Sequence, residues 1–218
     1  MSDAEPDPII QGVLAIGDRC YIAGPPKSGR SFIAAQLALA ISAGLSGPGA
    51  LGYCIPAPRR VSFVQFQSAE HHISRRLNGI SAALGINPSS LMGKIQVLNL
   101  RQLPDEINNM VLSVLNFKPE VMIIDAMENM PHQLAVVANN FGGALLAVCY
   151  DTEAALRKGD STLLISPNIK YDNVAIELDT LTRHGRSPWK KYLDWERDIL
   201  VVRECLSGGL FRDAWNRY

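Results

Sequence analysis

Residues 20–44 read CYIAGPPKSGRSFIAAQLALAISAG, and within them Gly24, Gly29 and Ser31 stand at the spacing of the pattern G-x-x-x-x-G-K-[ST]. Glycines at those positions let the backbone curl so that successive N–H groups point inward. A helix opening directly behind such a loop adds the positive end of its dipole. A hydroxyl just inside that helix can then reach a divalent cation carried in by phosphate. Gly24, Pro25, Pro26, Lys27, Ser28, Gly29, Arg30, Ser31 and Phe32 are therefore the candidate nucleotide-binding residues, with Ser31 a candidate Mg2+ ligand. The lysine of the pattern is replaced by Arg30. A guanidinium keeps the charge and can fork onto phosphate, but it is bulkier than an ammonium and not equivalent to it. Lys27 is a second basic residue in the loop, either a phosphate contact or a solvated lysine.

Asp125 is the next candidate. It ends the apolar run VMIID, and an acid at the C-terminal end of a buried strand can hold the water shell of Mg2+. Acids also follow strands as helix caps, so its weight comes from the loop upstream. His71 and His72 resemble a metal pair, yet neighbours on a helix point to different faces and no Cys or acid cluster accompanies them. Arg75 and Arg76 read as a solvated or inter-subunit face. The segment TRHGRSPWKKY, residues 182–192, supplies a basic patch with rings to stack on bases: Arg183, Arg186, Trp189, Lys190 and Lys191. Its competing reading is an ordinary basic surface loop.

The elements that must position these residues follow from periodicity. A short strand over 20–23 precedes the loop, and Phe32, Ile33, Leu37 and Ile41 recur at helical spacing in an all-round apolar, hence buried, helix. Residues 44–60 form a loop, 61–66 (VSFVQF) a strand, and 70–84 a helix carried by Ile73, Leu77, Ile80 and Leu84. A strand over 94–98 leads to a helix over 105–117 with Ile107, Val111, Val114 and Leu115 inward, then to the buried strand 121–125. Residues 133–158 read mostly as helix, with a break at Gly142–Gly143, and 162–165 as the next strand. Beyond Pro167, alternation over 174–178 and 199–203 predicts an antiparallel edge or hairpin, its strands separated by the basic segment. The expected architecture is α/β: a mostly parallel central sheet flanked by helices, with a C-terminal antiparallel extension. Residues 1–8 read as a disordered tail and 9–218 as a single domain.

Composition sets the outer limits. A chain of 218 residues can bury a sufficient core without disulfides or metals. Its 21 basic and 21 acidic residues cancel, so any pull on nucleic acid must come from a local patch. Cys20, Cys54, Cys149 and Cys205 are widely spaced and read as reduced thiols. The acidic start MSDAEPDP is unlike a secretory or transit signal, and the longest apolar stretch, 32–45, is too short to span a bilayer. No membrane role and a cytoplasmic location are expected.

Taken together, GPPKSGRSFIAAQLALAISAG, VSFVQFQSAEHHISRRL and VMIID resemble the RecA-fold ATPases of the RepA-type hexameric helicase group, relatives of DnaB and KaiC. The resemblance spans about residues 18–168. It implies a RecA-like P-loop core, ATP and Mg2+ at the loop, a homo-oligomeric ring, and DNA or protein partners. It also implies a catalytic glutamate nine residues before the Arg of a closing R-L; here R-L is Arg76–Leu77 and the position holds Gln67. Glutamine can hydrogen-bond a water but cannot take its proton, and losing a general base costs about 10²–10⁴-fold in rate. Glu70 is the alternative carboxylate, three residues on. Where the family ends its next strand in a His pair that senses the γ-phosphate, this chain has Ser166–Pro167. Two expectations follow: a P-loop protein with weak or absent hydrolysis and a DNA-transaction or assembly role, or an active Mg-ATP-dependent helicase subunit.

Overall fold

Short apolar runs become strands and longer periodic runs become helices, in alternation along most of the chain. The computed structural model describes residues 7–25, 29–66, 70–100, 104–125, 132–149, 161–168, 173–182 and 185–189. In chain order the elements are β1 (Pro8–Ile10), β2 (Leu14–Ala15), β3 (Arg19–Ala23), α1 (Arg30–Ala43), β4 (Val61–Phe66), α2 (Glu70–Ala83) and β5 (Ile95–Leu100). They continue through α3 (Pro104–Phe117), β6 (Val121–Asp125), α4 (His132–Asn139), β7 (Ala144–Cys149), β8 (Ser161–Asn168), β9 (Asn173–Thr182) and β10 (Gly185–Trp189).

The main sheet runs β10-β9-β8-β3-β7-β6-β4-β5. The six strands from β8 to β5 pair in parallel, while β9 and β10 close one edge antiparallel. This is the mostly parallel α/β sheet with an antiparallel extension that the sequence implied. Successive residues of each central strand serve opposite layers. Val61, Phe63, Val121 and Ile123 pack with α1, whereas Val64, Phe66, Met122 and Ile124 pack with Ile107, Met110 and Val114 of α3 and Ala138 of α4. Burial on both faces explains why these strands read as continuous apolar runs.

Helix α1 is the centre of the larger layer. Its alanines allow close approach to the sheet, and two of its buried polar side chains donate inward: Gln36 Nε2 to the Gly49 carbonyl at 3.0 Å and Ser42 Oγ to that of Ala38 at 2.7 Å. It stops at Gly44, whose φ of 69° lies in the left-handed region. At the opposite end of the sheet from the loop, Arg59 donates to Asp7 at 2.6 Å and to Glu120 at 3.0 Å. Glu120 also accepts the Arg60 backbone N–H at 3.1 Å. The chain before β1 is thereby tied to the start of β6. Pro8, read from sequence as tail, already pairs with Ala15.

Three differences from the sequence reading have clear causes. Residues 144–149 are not helix but β7, wedged between β3 and β6. A short Ala/Leu run buried on both faces cannot be told from a buried helix by periodicity. The turn at Gly143 is demanded locally, since an added Cβ would run into the Glu120 carbonyl. Leu115 is not inward: it is 58% exposed, and Met110, at 3%, takes the core place on α3. The hairpin partner of β9 is β10, drawn from the basic segment itself, while residues 199–203 lie outside the described residues. Pro188 is tolerated there because β10 is an edge strand. Ser166 and Pro167 continue β8 and pair with Ala175 and Val174. Among the described residues no helix is long and apolar enough to cross a membrane.

Candidate phosphate-binding site

Strand β3 ends at Ala23, and the chain passes the buried Gly24 and the exposed Pro25 before re-forming at Gly29. Pro26, Lys27 and Ser28 lie outside the described residues. Gly29 is the N-cap of α1 with φ 85° and ψ 7°. Nothing lies within 4 Å of where its Cβ would stand, so the backbone conformation, not space, calls for glycine. The cap uses no side chain and the first turn carries no acid. The positive end of the helix is thus left for an external anion.

The sheet order places β7 between β3 and β6, and the first turn of α1 bridges that gap. Arg30, 6% exposed, donates from Nη1 to the carbonyl of Cys149, the last residue of β7. Ser31 Oγ reaches one strand further and donates to Asp125 Oδ1 at 2.9 Å. Gln65 stands directly opposite Asp125 in the β4–β6 register, and its Nε2 donates to Oδ2 at 3.2 Å. Asp125 is only 3% exposed, so its two oxygens are aimed by a hydroxyl on one side and an amide on the other. A hydroxyl and a carboxylate converging at the mouth of a helix N-terminus are hard oxygen donors of the kind Mg2+ takes. These residues fit the ion, with Ser31 and Asp125 as its protein contacts.

Whereas Arg75 is exposed, Arg76 is partly buried and leans onto the first turn of α1. Its guanidinium carbon lies 4.5 Å from the centroid of the Phe32 ring. Burial lowers its pKa below the ordinary guanidinium value, against the opposing pull of the Asp125 charge. Its Nη1 is buried without a hydrogen-bond partner among the described residues. Gln65 and Arg76 are the residues beside Ser31 and Asp125 that sequence reasoning did not place there. Gln65 carried a signal as the polar position of an otherwise apolar strand end. Arg76 carried one as the Arg of the R-L pair.

The other candidates fall elsewhere. Gln67 is outside the described residues, and Glu70 opens α2. Arg186 and Trp189 lie on β10, separated from β3 by β9 and β8. Arg183, Lys190 and Lys191 are outside the described residues. The ring centroids of His71 and His72 lie 4.1 Å apart with the planes tilted by 41°. Among the described residues no group of three metal-binding side chains forms.

Comparison with known proteins agrees with this geometry. A family model described as AAA domain matches residues 2–154. Among solved structures, a KaiC-like protein from the hyperthermophilic archaeon Pyrococcus horikoshii superposes with a TM-score of 0.57 at 11% identity. The match covers 84% of this chain and 87% of that one. The likeness shows a shared fold, the RecA-like core that the sequence implied. No curated protein sequence matches the chain.

Proposed function

The chain belongs to the AAA domain family, and from that membership we propose that it binds a nucleoside triphosphate with Mg2+ at the 24–32 loop while hydrolysing it weakly or not at all. The observation that carries the binding half is the 2.9 Å bond from Ser31 Oγ to Asp125 Oδ1, which sets the two expected metal contacts side by side at the helix mouth. The left-handed Gly29 and the helix start behind it, which no side chain caps, supply the phosphate cradle. A bound Mg2+ would neutralise phosphate charge there.

The weak-hydrolysis half rests on residue chemistry. The amides at Gln65 and Gln67 can orient a water but cannot accept its proton. Asp125 is already committed to Ser31 and Gln65. The RepA-like resemblance adds a DNA-transaction or assembly role, with a homo-oligomer and the basic residues Arg183, Arg186, Trp189, Lys190 and Lys191 as its contacts. The reading of an active helicase subunit draws on Glu70, a carboxylate at the start of the helix that follows β4.

Titration calorimetry with Mg-ATP, run beside a phosphate-release assay, tests both halves. Binding with turnover near background is the expected result. Absence of nucleotide binding overturns the first half. Multiple turnovers that disappear in Arg30→Ala overturn the second and favour the helicase reading.

A further inference from the structure

Arg76 lies within α2, yet its charge is turned away from solvent toward the start of α1. Phe32, whose ring it covers, directly follows Ser31 in the first turn of α1. A guanidinium stacked on that ring is therefore held over the end of the helix where a phosphate chain would lie. Its field reaches Asp125, the other side of the same corner. With its central carbon over the ring, the guanidinium keeps N–H donors around its rim that suit planar recognition of an anion. One edge nitrogen, Nη1, is buried without a hydrogen-bond partner among the described residues. A buried charged donor lacking a partner is costly, and an incoming anion removes that cost.

Position 30 accounts for the need. Its guanidinium donates to the Cys149 carbonyl at the end of β7, so it is anchored on the sheet. We propose that Arg76 is a phosphate-binding residue of this site, its edge N–H groups meeting phosphate oxygens of the bound nucleoside triphosphate and taking over the task of the lysine missing from the loop. The inference rests on the nucleotide-binding reading above and names a residue that the loop pattern does not contain.

The test is titration of wild type, Arg76→Met and Arg76→Lys with two probes, ATP and inorganic tripolyphosphate, at fixed Mg2+. Thermal melts run alongside. Methionine keeps an unbranched apolar stem over Phe32 and removes the donors. Affinity for both probes is expected to fall about 10- to 100-fold in Arg76→Met, the range of a lost charge-assisted hydrogen bond, with part of it regained in Arg76→Lys. Unchanged affinity in Arg76→Met overturns the proposal. A loss confined to ATP, with tripolyphosphate unaffected, also overturns it, because the side chain would then be stacking on the base. Wild type that binds neither probe overturns the nucleotide-binding reading itself and this inference with it. If Arg76→Met does not fold, Arg76→Gln, which keeps polar length without charge, is read by the same criteria.

Discussion

Arg30 and Cys149 are joined by a hydrogen bond from a guanidinium to a strand-terminal carbonyl, across 119 residues of sequence. The side chain at the loop position that ordinarily grips phosphate is here part of the sheet's own end. A charged donor on a carbonyl is one of the stronger hydrogen bonds in a protein. Position 30 has thus acquired a structural task.

Arg30→Ala should therefore destabilise the fold by about 1–3 kcal/mol, because the buried Cys149 carbonyl loses a charged donor. Urea denaturation checks it. The paired change Arg30→Lys with Gln67→Glu returns a point charge and a carboxylate together. Phosphate release should then rise at least ~10-fold over wild type, a conservative part of the range for a restored general base. If Glu70 were the base, the Gln67 change would add nothing.

Ser31 and Asp125 should behave as one unit. Ser31→Ala and Asp125→Asn are each expected to lower the Mg2+-dependent part of ATP affinity. The double variant should lose less than the sum, with a coupling of about 0.5–3 kcal/mol typical of touching polar pairs. Calorimetry in Mg2+ and in EDTA separates the metal-dependent part from the rest.

Glu120 gives the fold an acid-sensitive tie. Burial pushes its carboxyl up, but the Arg60 N–H and the Arg59 guanidinium together outweigh that and hold it below the ordinary value of 4.5. A group lowered in the folded state contributes stability above its unfolded pKa and loses it as pH falls through the folded one. Stability should thus decline from about pH 4.5 downward, and Glu120→Gln should flatten that slope. The effect will be small and weaker in high salt, because the pair is partly solvated. Thermal midpoints across the acid range measure it.

Gly44 and Gly85 share a left-handed backbone, at φ 69° and 66°, but differ in surroundings. A Cβ on Gly44 would stand 2.9 Å from both the ring Cδ and the backbone N of Pro58, whereas one on Gly85 meets nothing within 4 Å. Gly85→Ala should cost about 1 kcal/mol, the left-handed strain alone. Gly44→Ala should cost about 2–3 kcal/mol, adding displacement of a backbone segment. Parallel denaturation curves compare them.

Much of the architecture was legible because burial on both faces leaves an unambiguous mark. The runs 61–66 and 121–125 match β4 and β6 residue for residue. Where two elements use the same apolar vocabulary the mark fades: ALLAVC reads as helix until β3 and β6 are known to flank it. On α3, Ile107, Met110 and Val114 trace the buried stripe, and Leu115 sits one helical step beyond it. Ser31 and Asp125 were legible because spacing within a loop and the end of a strand are local features. Gln65 acquires its role only by standing opposite Asp125, 60 residues away. Arg76 does so only by leaning from α2 onto Phe32 of α1.

The position of β7 also orders events on the ribosome. Strand β3 and helix α1 are synthesised early, yet the parallel neighbours of β3 are supplied by residues 144–149 and 161–168. Until those residues emerge, β3 has no strand to pair with in the main sheet, and the Arg30 guanidinium lacks its Cys149 carbonyl. An apolar helix waiting on distant partners is a feature that slows folding and engages chaperones. The corner formed by Arg30, Ser31 and Asp125 is thus complete only once β7 stands between β3 and β6.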